Sequence, residues 1–537
     1  MKLESSTPNN KQKVYQRMFD HLGMGDHTAV ANLIVTKIGN NLKYWPEENE
    51  IISNTLDLLL DMAGGYSSSK LLLTLDTVKF LARHHTEDHF PFLAVPSNTR
   101  HRTTFHSTLS RLLLSPNGEE KLGITFQQFL EPIVATFNQL ENLSPEELRN
   151  EAARRPLVGA FRDLRGIACS LHNRKTYILL FDVLHPRYLP LLAKVADAWH
   201  DQGDVIISLF RFLHEFCSNK ANRVNFDQSS PNGILLFRAT SDAVCAYGRR
   251  LLASPVTNLE GSIDIYKRRY KIMALALNVL NAALGGNYVC FGVFSLYNDP
   301  ALKNALDVSL QMILSVPLDD VVAYPKLSKG YYCFIEILFR NHMKTVLALD
   351  TNVLMQLMST VHEGLQSSDA QLSAMCATTI DHLATFYFEN SGKDKVEMQM
   401  LNKVGRSWFN NTNTSVFSYQ LTRKLLYHYF IQHLTSEPIL FSSLTGTLFN
   451  LLLFGAPQNH WAVMRPMLSL MMASEESFTA YKDHLLGTQS PENRQLLTDA
   501  FAKLLKDVNR SLDSTNRDRF TQKLTAFRVA ARGFLTL

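Results

Sequence analysis

Cysteine is scarce in this chain of 537 residues: Cys169, Cys217, Cys245, Cys290, Cys333 and Cys376 are the six, and no two form a Cys-x-x-Cys pair. Most sit inside apolar helical runs, which argues against a disulfide framework and against a structural zinc site. Glycine is missing where nucleotide chemistry would need it. No glycine-rich loop ends in Gly-Lys-Ser or Gly-Lys-Thr to wrap phosphates in backbone N–H groups, and no Gly-x-Ser-x-Gly elbow presents a nucleophilic serine. The alternation of apolar and polar residues that marks strands is absent throughout. An excess of one charge is lacking too, since 54 basic against 49 acidic side chains leave only +5. A nucleic-acid binder would show a basic stripe with interleaved aromatics. The nearest approach, Tyr266-Lys267-Arg268-Arg269-Tyr270-Lys271, is one short cluster. It reads as the solvated first turn of the helix through Ile272, Leu275 and Val279, with a contact for an acidic partner as the alternative, and no direct nucleic-acid partner is expected. Long apolar runs are lacking as well. The longest charge-free stretch, residues 438–456, contains Ser442, Ser443, Thr445, Thr447 and Asn450, which predicts a buried helix rather than membrane insertion. Residues 1–13 are polar and lack the apolar core of a secretory signal, so an intracellular protein is expected.

What the chain does have is one unit repeated from end to end: an apolar helix, a capped break, a second apolar helix and a polar loop. Asp299 can cap a helix, Pro300 suits its first position, and Leu302, Leu306, Leu310 and Ile313 recur at helical spacing until Pro317. Residues 319–327 are expected to turn, and Tyr331, Phe334, Ile335, Leu338 and Phe339 make the stripe of the second helix. A further pair starts at Asp350, breaks at Ser367, Ser368 and Asp369, and runs to about Asn390. The period of roughly 40 to 45 residues is that of HEAT-type pairs. The fold class expected is therefore all-α, a HEAT-repeat-like α-solenoid of the armadillo type. It is expected to run as one continuous stack over residues 1–537, in roughly ten to twelve helical pairs. With 46% hydrophobic residues, each pair can bury its stripe against its neighbours.

The same reasoning predicts helices over residues 11–22, 28–42, 50–62 and 70–83, with Gly64-Gly65 as the stop between the last two. Residues 84–99 read as a longer loop. Ser144-Pro145-Glu146-Glu147 is a capping box, Ser490-Pro491-Glu492 caps another helix, and a last helix spans about 515–531. Ser-Pro-Asn-Gly, at Ser115 and again at Ser230, reads as turn punctuation. Cys333 and Cys376 are expected to hold equivalent core positions in successive pairs.

Residues with chemical potential are few. His84, His85 and His89 around Glu87 and Asp88 could approach metal-ligand spacing, but Pro91 and the loop character favour a satisfied surface cluster, and His101 and His106 add little. Arg162, Asp163 and Arg165, and likewise Arg517, Asp518 and Arg519, read as ion pairs on helix surfaces. No catalytic, metal-binding or cofactor-binding residue emerges, no cofactor is expected, and the protein is not expected to be an enzyme. No individual partner-contact residue can be chosen, because charge is the default state of a solenoid surface.

Eight segments, in order along the chain, resemble the family of exportin-7 and Ran-binding protein 17. They are Lys13-Val14-Tyr15-Gln16-Arg17, Asn41-Leu42-Lys43-Tyr44-Trp45, Gly65-Tyr66-Ser67-Ser68, Arg102-Thr103-Thr104-Phe105, Arg162-Asp163-Leu164-Arg165-Gly166-Ile167-Ala168, Ser229-Ser230-Pro231-Asn232-Gly233-Ile234-Leu235-Leu236-Phe237-Arg238, Tyr324-Pro325-Lys326-Leu327-Ser328 and Asn516-Arg517-Asp518-Arg519-Phe520-Thr521-Gln522. The resemblance places the chain on the C-terminal half of that family, as a partial gene model or a truncated paralogue. It implies a nuclear transport receptor of the importin-beta superfamily, an exportin that carries protein cargo out of the nucleus with Ran-GTP. It further implies contact with nucleoporins at the nuclear pore and residence in nucleus and cytoplasm. The family's main Ran-binding surface lies in N-terminal repeats that precede this segment. Superfamily members are usually acidic, whereas this chain is slightly basic, and residues 392–438 match the family poorly and read as a diverged or inserted loop. The alternative is a HEAT-type interaction scaffold without Ran dependence.

Overall fold

The computed structural model describes residues 26–227, 229–254, 265–391, 439–455 and 460–535, together with residues 17, 20 and 21. Apart from residues 17, 20 and 21, which are helical, the helix expected over residues 11–22 lies outside the described residues, as does the diverged segment 392–438. Among the described residues there are helices and turns and no strand, so the protein is an all-α solenoid. The chain divides into two compact units, Met1–Ser315 and Val316–Leu537.

The first unit opens with α1 (His27–Tyr44), whose first turn is capped by the Asp26 carboxylate at Thr28 N and whose buried residues Ala31, Val35, Ile38 and Leu42 follow helical spacing. α2 (Asn49–Gly64) ends before Gly65, which is extended, not left-handed. The single helix expected over residues 70–83 is two, α3 (Tyr66–Leu72) and α4 (Asp76–Arg83). Leu72, Leu73 and Leu75 are all buried; the helix ends at Leu72, and Thr74 Oγ1 donates to Leu71 O at 2.7 Å in the break. α3 starts at Tyr66, directly after the Gly64-Gly65 stop, and Ser68 Oγ ties its first turn to Met62 O at 2.6 Å.

The longer helices that follow are α5 (Arg102–Leu113), α6 (Phe126–Leu140), α7 (Glu151–Ser170), α8 (Arg174–Leu184), α9 (Leu189–Ala198), α10 (Gly203–Cys217), α11 (Asn232–Ala253), α12 (Lys271–Gly285) and α13 (Ala301–Leu314). Helices α2, α5, α7, α10 and α12 stack in succession as one row, while α9, α11 and α13 stack as a second. The Ser144 capping box forms as expected, with Ser144 Oγ accepting from Glu147 N at 3.2 Å. The basic cluster at Tyr266 is solvated only in part: Tyr266–Tyr270 winds as a π-helical turn with Lys267 exposed, but Tyr270 and Arg269 are buried, and Arg269 Nη1 lies 3.4 Å from Leu251 O. The guanidinium thus neighbours a carbonyl at the end of α11 rather than water. At the second Ser-Pro-Asn-Gly, punctuation is only part of the explanation, since a Cβ on Gly233 would stand 2.2 Å from Tyr288 O.

The second unit contains α14 (Pro325–Asn341), α15 (Thr351–Leu365), α16 (Ala370–Ser391), α17 (Leu440–Phe454), α18 (His460–Ala473), α19 (Glu475–Gly487), α20 (Pro491–Leu505) and α21 (Ser514–Arg532). Helices α14, α16, α18 and α21 form its stacked row. Asp299 caps α13 as the spacing predicts, with Oδ1 2.9 Å from Ala301 N, and Asp350 and Ser490 cap α15 and α20. The expected turn over 319–327 is instead a short helix, Leu318–Ala323, followed at once by α14, because Asp319 and Asp320 stabilise a first turn after Pro317 and Leu327 is buried within α14. Cys376 is buried whereas Cys333 is partly exposed, so the two are not equivalent. The charge-free segment is α17, which buries Phe441, Leu444, Leu448 and Leu452. No described helix is long and apolar enough to cross a membrane.

Gly166, in the middle of α7, marks the closest approach of the row: a Cβ there would stand 2.4 Å from Thr103 O and 3.0 Å from Ser107 N of α5. Gly292 starts a short helix with open space around it. Gly166→Ala is therefore expected to lower the urea midpoint by an amount equivalent to roughly 1–3 kcal/mol, while Gly292→Ala is neutral or stabilising by up to about 1 kcal/mol.

Candidate functional site

A cleft of about 590 Å³ opens between α5, α6 and α7. Its floor is a buried, densely hydrogen-bonded group of charges. Asp163 of α7, 3% exposed, receives both ends of the Arg102 guanidinium: Nε to Oδ1 at 2.9 Å and Nη2 to Oδ2 at 2.5 Å. Arg102 Nη1 then donates to Glu87 Oε1 at 2.7 Å and to Leu93 O at 2.8 Å. His106 Nδ1 lies 3.1 Å from Asp163 Oδ1 and 3.0 Å from Arg102 O. Two glycines make the geometry possible. Gly159, one turn before Asp163, leaves only 3.1 Å between an added Cβ and Arg102 Cζ, and Gly166 lets the backbones of α5 and α7 meet.

Burial alone would raise the Asp163 carboxyl, but the Arg102 guanidinium and the His106 imidazole outweigh it and hold the group well below the usual carboxylate range. His85 lies in the same floor, with Nδ1 2.8 Å from Ala82 O, Nε2 2.9 Å from Phe129 O, and its ring stacked on Phe129 at 4.2 Å. Burial, reinforced by His106, pushes it down to about 4. The surface reading therefore holds for neither Asp163 nor His85, and His106 is part of the clamp. Asp163 and Arg102 are 61 residues apart, a separation that no local pattern reports. His84 and His89 do face each other, with ring centroids 4.5 Å apart, but no group of three or more His, Cys, Asp or Glu among the described residues is placed to hold a metal ion.

The second unit repeats the device. Asp381 of α16, 2% exposed, accepts from Arg517 Nη1 at 2.8 Å, Ser469 Oγ at 2.7 Å and Arg465 Nε at 3.1 Å. Arg517, expected in a surface pair with its sequence neighbours, thus reaches 136 residues back. A third clamp joins α7 to α10 through Arg223, which is 2% exposed. Its Nη1 donates to Ala168 O at 2.8 Å and Leu171 O at 2.9 Å, and its Nη2 to Glu215 Oε1 at 3.0 Å.

These arrangements hold helices rather than perform reactions. Arg102 has Asp163, Glu87 and Leu93 O on its nitrogens, the Asp163 carboxylate is engaged on both oxygens, and the neutral His85 ring is flanked by carbonyls. A pH dependence follows. Above about pH 6.5, His85 is neutral in both the folded and unfolded chain; between 6.5 and 4 the unfolded chain takes up a proton that the folded one refuses, so stability falls with pH. The loss assigned to His85 is on the order of 3 kcal/mol. His85→Gln is expected to flatten the decline of melting temperature between pH 7 and 4.5 by up to one proton; an unchanged slope would place the titrating group elsewhere.

Comparison with known proteins identifies the surroundings in which these clamps occur. Residues 4–101 match a family model described as Exportin-7-like, TPR domain. The chain is 36% identical over 522 residues to Exportin-7-B of Xenopus laevis and 35% identical over 524 residues to Ran-binding protein 17 of Homo sapiens, covering 96% of this chain and 46% of each relative. It is 31% identical over 523 residues to Exportin-7 of Dictyostelium discoideum, covering 97% of this chain and 48% of that relative. The chain spans about half the length of these relatives. Over almost its entire length, this all-α chain is similar to one half of the exportin-7 and Ran-binding protein 17 proteins.

Proposed function

We propose that this chain is part of a nuclear transport receptor of the exportin kind, binding protein cargo together with Ran-GTP and carrying it out of the nucleus. One observation carries the reading: 31–36% identity, sustained over about 96% of the chain, to proteins named for export and for Ran binding. On this reading the chain works in nucleus and cytoplasm and touches nucleoporins in transit, and it is a binding protein rather than an enzyme. The stacked rows support it physically. Each helix spends one stripe on its neighbours and leaves the opposite stripe free to be decorated without disturbing the core.

Cargo and Ran-GTP would bind cooperatively if both stabilise the same packing of successive helices, a coupling typically worth roughly 1–3 kcal/mol. The experiment is a capture from nuclear extract on this chain, and on the chain preceded by the N-terminal repeats of a relative, each with Ran locked in the GTP or GDP form. The expected result is a set of proteins retained only with Ran-GTP on the longer protein, with affinity raised about 5- to 150-fold over Ran-GDP. The same proteins retained whatever the nucleotide would favour a scaffold without Ran dependence.

A further inference from the structure

Arginines between successive helices of the first unit are paired across the stack in a regular way. Arg149 bridges to Asp201, Arg154 to Asp204, Arg174 to Asp227, Arg187 to Glu141 and Arg250 to Asp197, each spanning between 46 and 53 residues. Exposed Arg83, Arg100, Arg111 and Arg249 have no such bridge among the described residues, and three half-buried neighbours lack one as well. Arg162 and Arg165 stand three residues apart on α7 and Arg211 stands on the adjoining α10; all three are half-buried. No carboxylate among the described residues forms a salt bridge with any of them. Asp204, the acidic group whose field reaches Arg162, already accepts from Arg154 Nε at 2.9 Å. Arg162 Nε is buried and has no hydrogen-bond partner.

Such a grouping is unfavourable as it stands. Burial and the mutual repulsion of the three cations push the Arg162 guanidinium down to about 10 and lower that of Arg211 as well. A buried donor left unpaired adds its own desolvation penalty. Asp204, engaged by Arg154, offsets these terms only in part, so an anion from outside would relieve all of them at once.

We propose that Arg162, Arg165 and Arg211 form a docking surface for an acidic segment of a partner protein, whose Asp or Glu carboxylates supply the missing counter-charges. Guanidinium groups suit this task, since their planar forks take a carboxylate two bonds at a time and they tolerate partial burial better than ammonium groups. The rest of the stripe favours a protein over a nucleic acid. Cys169 continues the α7 face one turn beyond Arg165, and Ile207 and His214 flank Arg211 on α10, all half-buried. No Phe, Tyr or Trp stands among them to stack a base.

This inference deepens the transport-receptor reading, yet its test involves no Ran, so the two can fail separately. Binding of a fluorescein-labelled oligo-glutamate peptide of about ten residues is followed by anisotropy across a salt series. Three proteins are compared: the unaltered chain, the triple variant Arg162→Gln, Arg165→Gln, Arg211→Gln, and the equally charged control Arg174→Gln, Arg187→Gln, Arg250→Gln. The expected result is at least about a tenfold loss of affinity in the first variant, little change in the control, and a melting temperature of the first variant no lower than that of the unaltered chain. The proposal is overturned if both variants lose affinity equally, if the unaltered chain does not bind the peptide, or if the first variant melts at a lower temperature. Tighter binding of a single-stranded RNA of the same length than of the peptide would also overturn it.

Discussion

The structure depends on carboxylates withdrawn from water between stacked helices. Asp163 in the first unit and Asp381 in the second each sit inside a helix of the stacked row and each receive arginine donors from elsewhere in the chain. Burying a charge this deeply is unfavourable unless partners satisfy both oxygens, and removing one partner leaves a buried ion that is far more expensive than the pair itself. That asymmetry gives the row its register. Apolar stripes alone allow one helix to slide or rotate against the next, whereas a two-pronged guanidinium on a carboxylate defines one position. Glycine makes the position reachable, because Gly159 and Gly166 bracket Asp163 and remove the side chains that would hold α5 away.

The clamps also determine what is left for binding. Charges engaged in the interior are lost to partners: the hydrogen bonds of Arg102 and Arg223 go to groups of this chain. Groups that face the opposite stripe keep their bonding capacity, and half-buried Arg162, Arg165 and Arg211 contrast with the five arginines that reach carboxylates across the stack. A solenoid of this kind separates stability from recognition along each helix, one stripe for each. It accounts for a large protein surface in which no reactive group stands out.

Much of the fold was legible in the sequence, and the reason is local. Caps act within four residues and apolar stripes within one helix, so α1, α2, the α15–α16 pair, α17 and α20 appear where spacing and caps predict them. The errors have equally local causes. The break at residues 73–75 has no proline or glycine to announce it, and Pro317 followed by two aspartates starts a turn of helix where a turn was expected. The charged cluster was illegible for a different reason. Arg102 meets Asp163 across 61 residues and Arg517 meets Asp381 across 136, and in the sequence Asp163 stands beside Arg162 and Arg517 beside Asp518, each a tempting local partner. Two small signals pointed the right way, the glycines at 159 and 166 in an otherwise good helix-former, since glycine inside a helix implies a close neighbour.

The account rests on the claim that the Arg102–Asp163 pair is a positioning clamp whose halves are each intolerable alone. A double-mutant cycle tests it directly, with the stability of the full chain measured for Arg102→Met, Asp163→Asn and the two together. The account predicts a loss of roughly 3–5 kcal/mol for each single variant and a double variant far less damaged than the sum. Single losses under about 1 kcal/mol, of the size seen for exposed pairs, or losses that simply add, would contradict it.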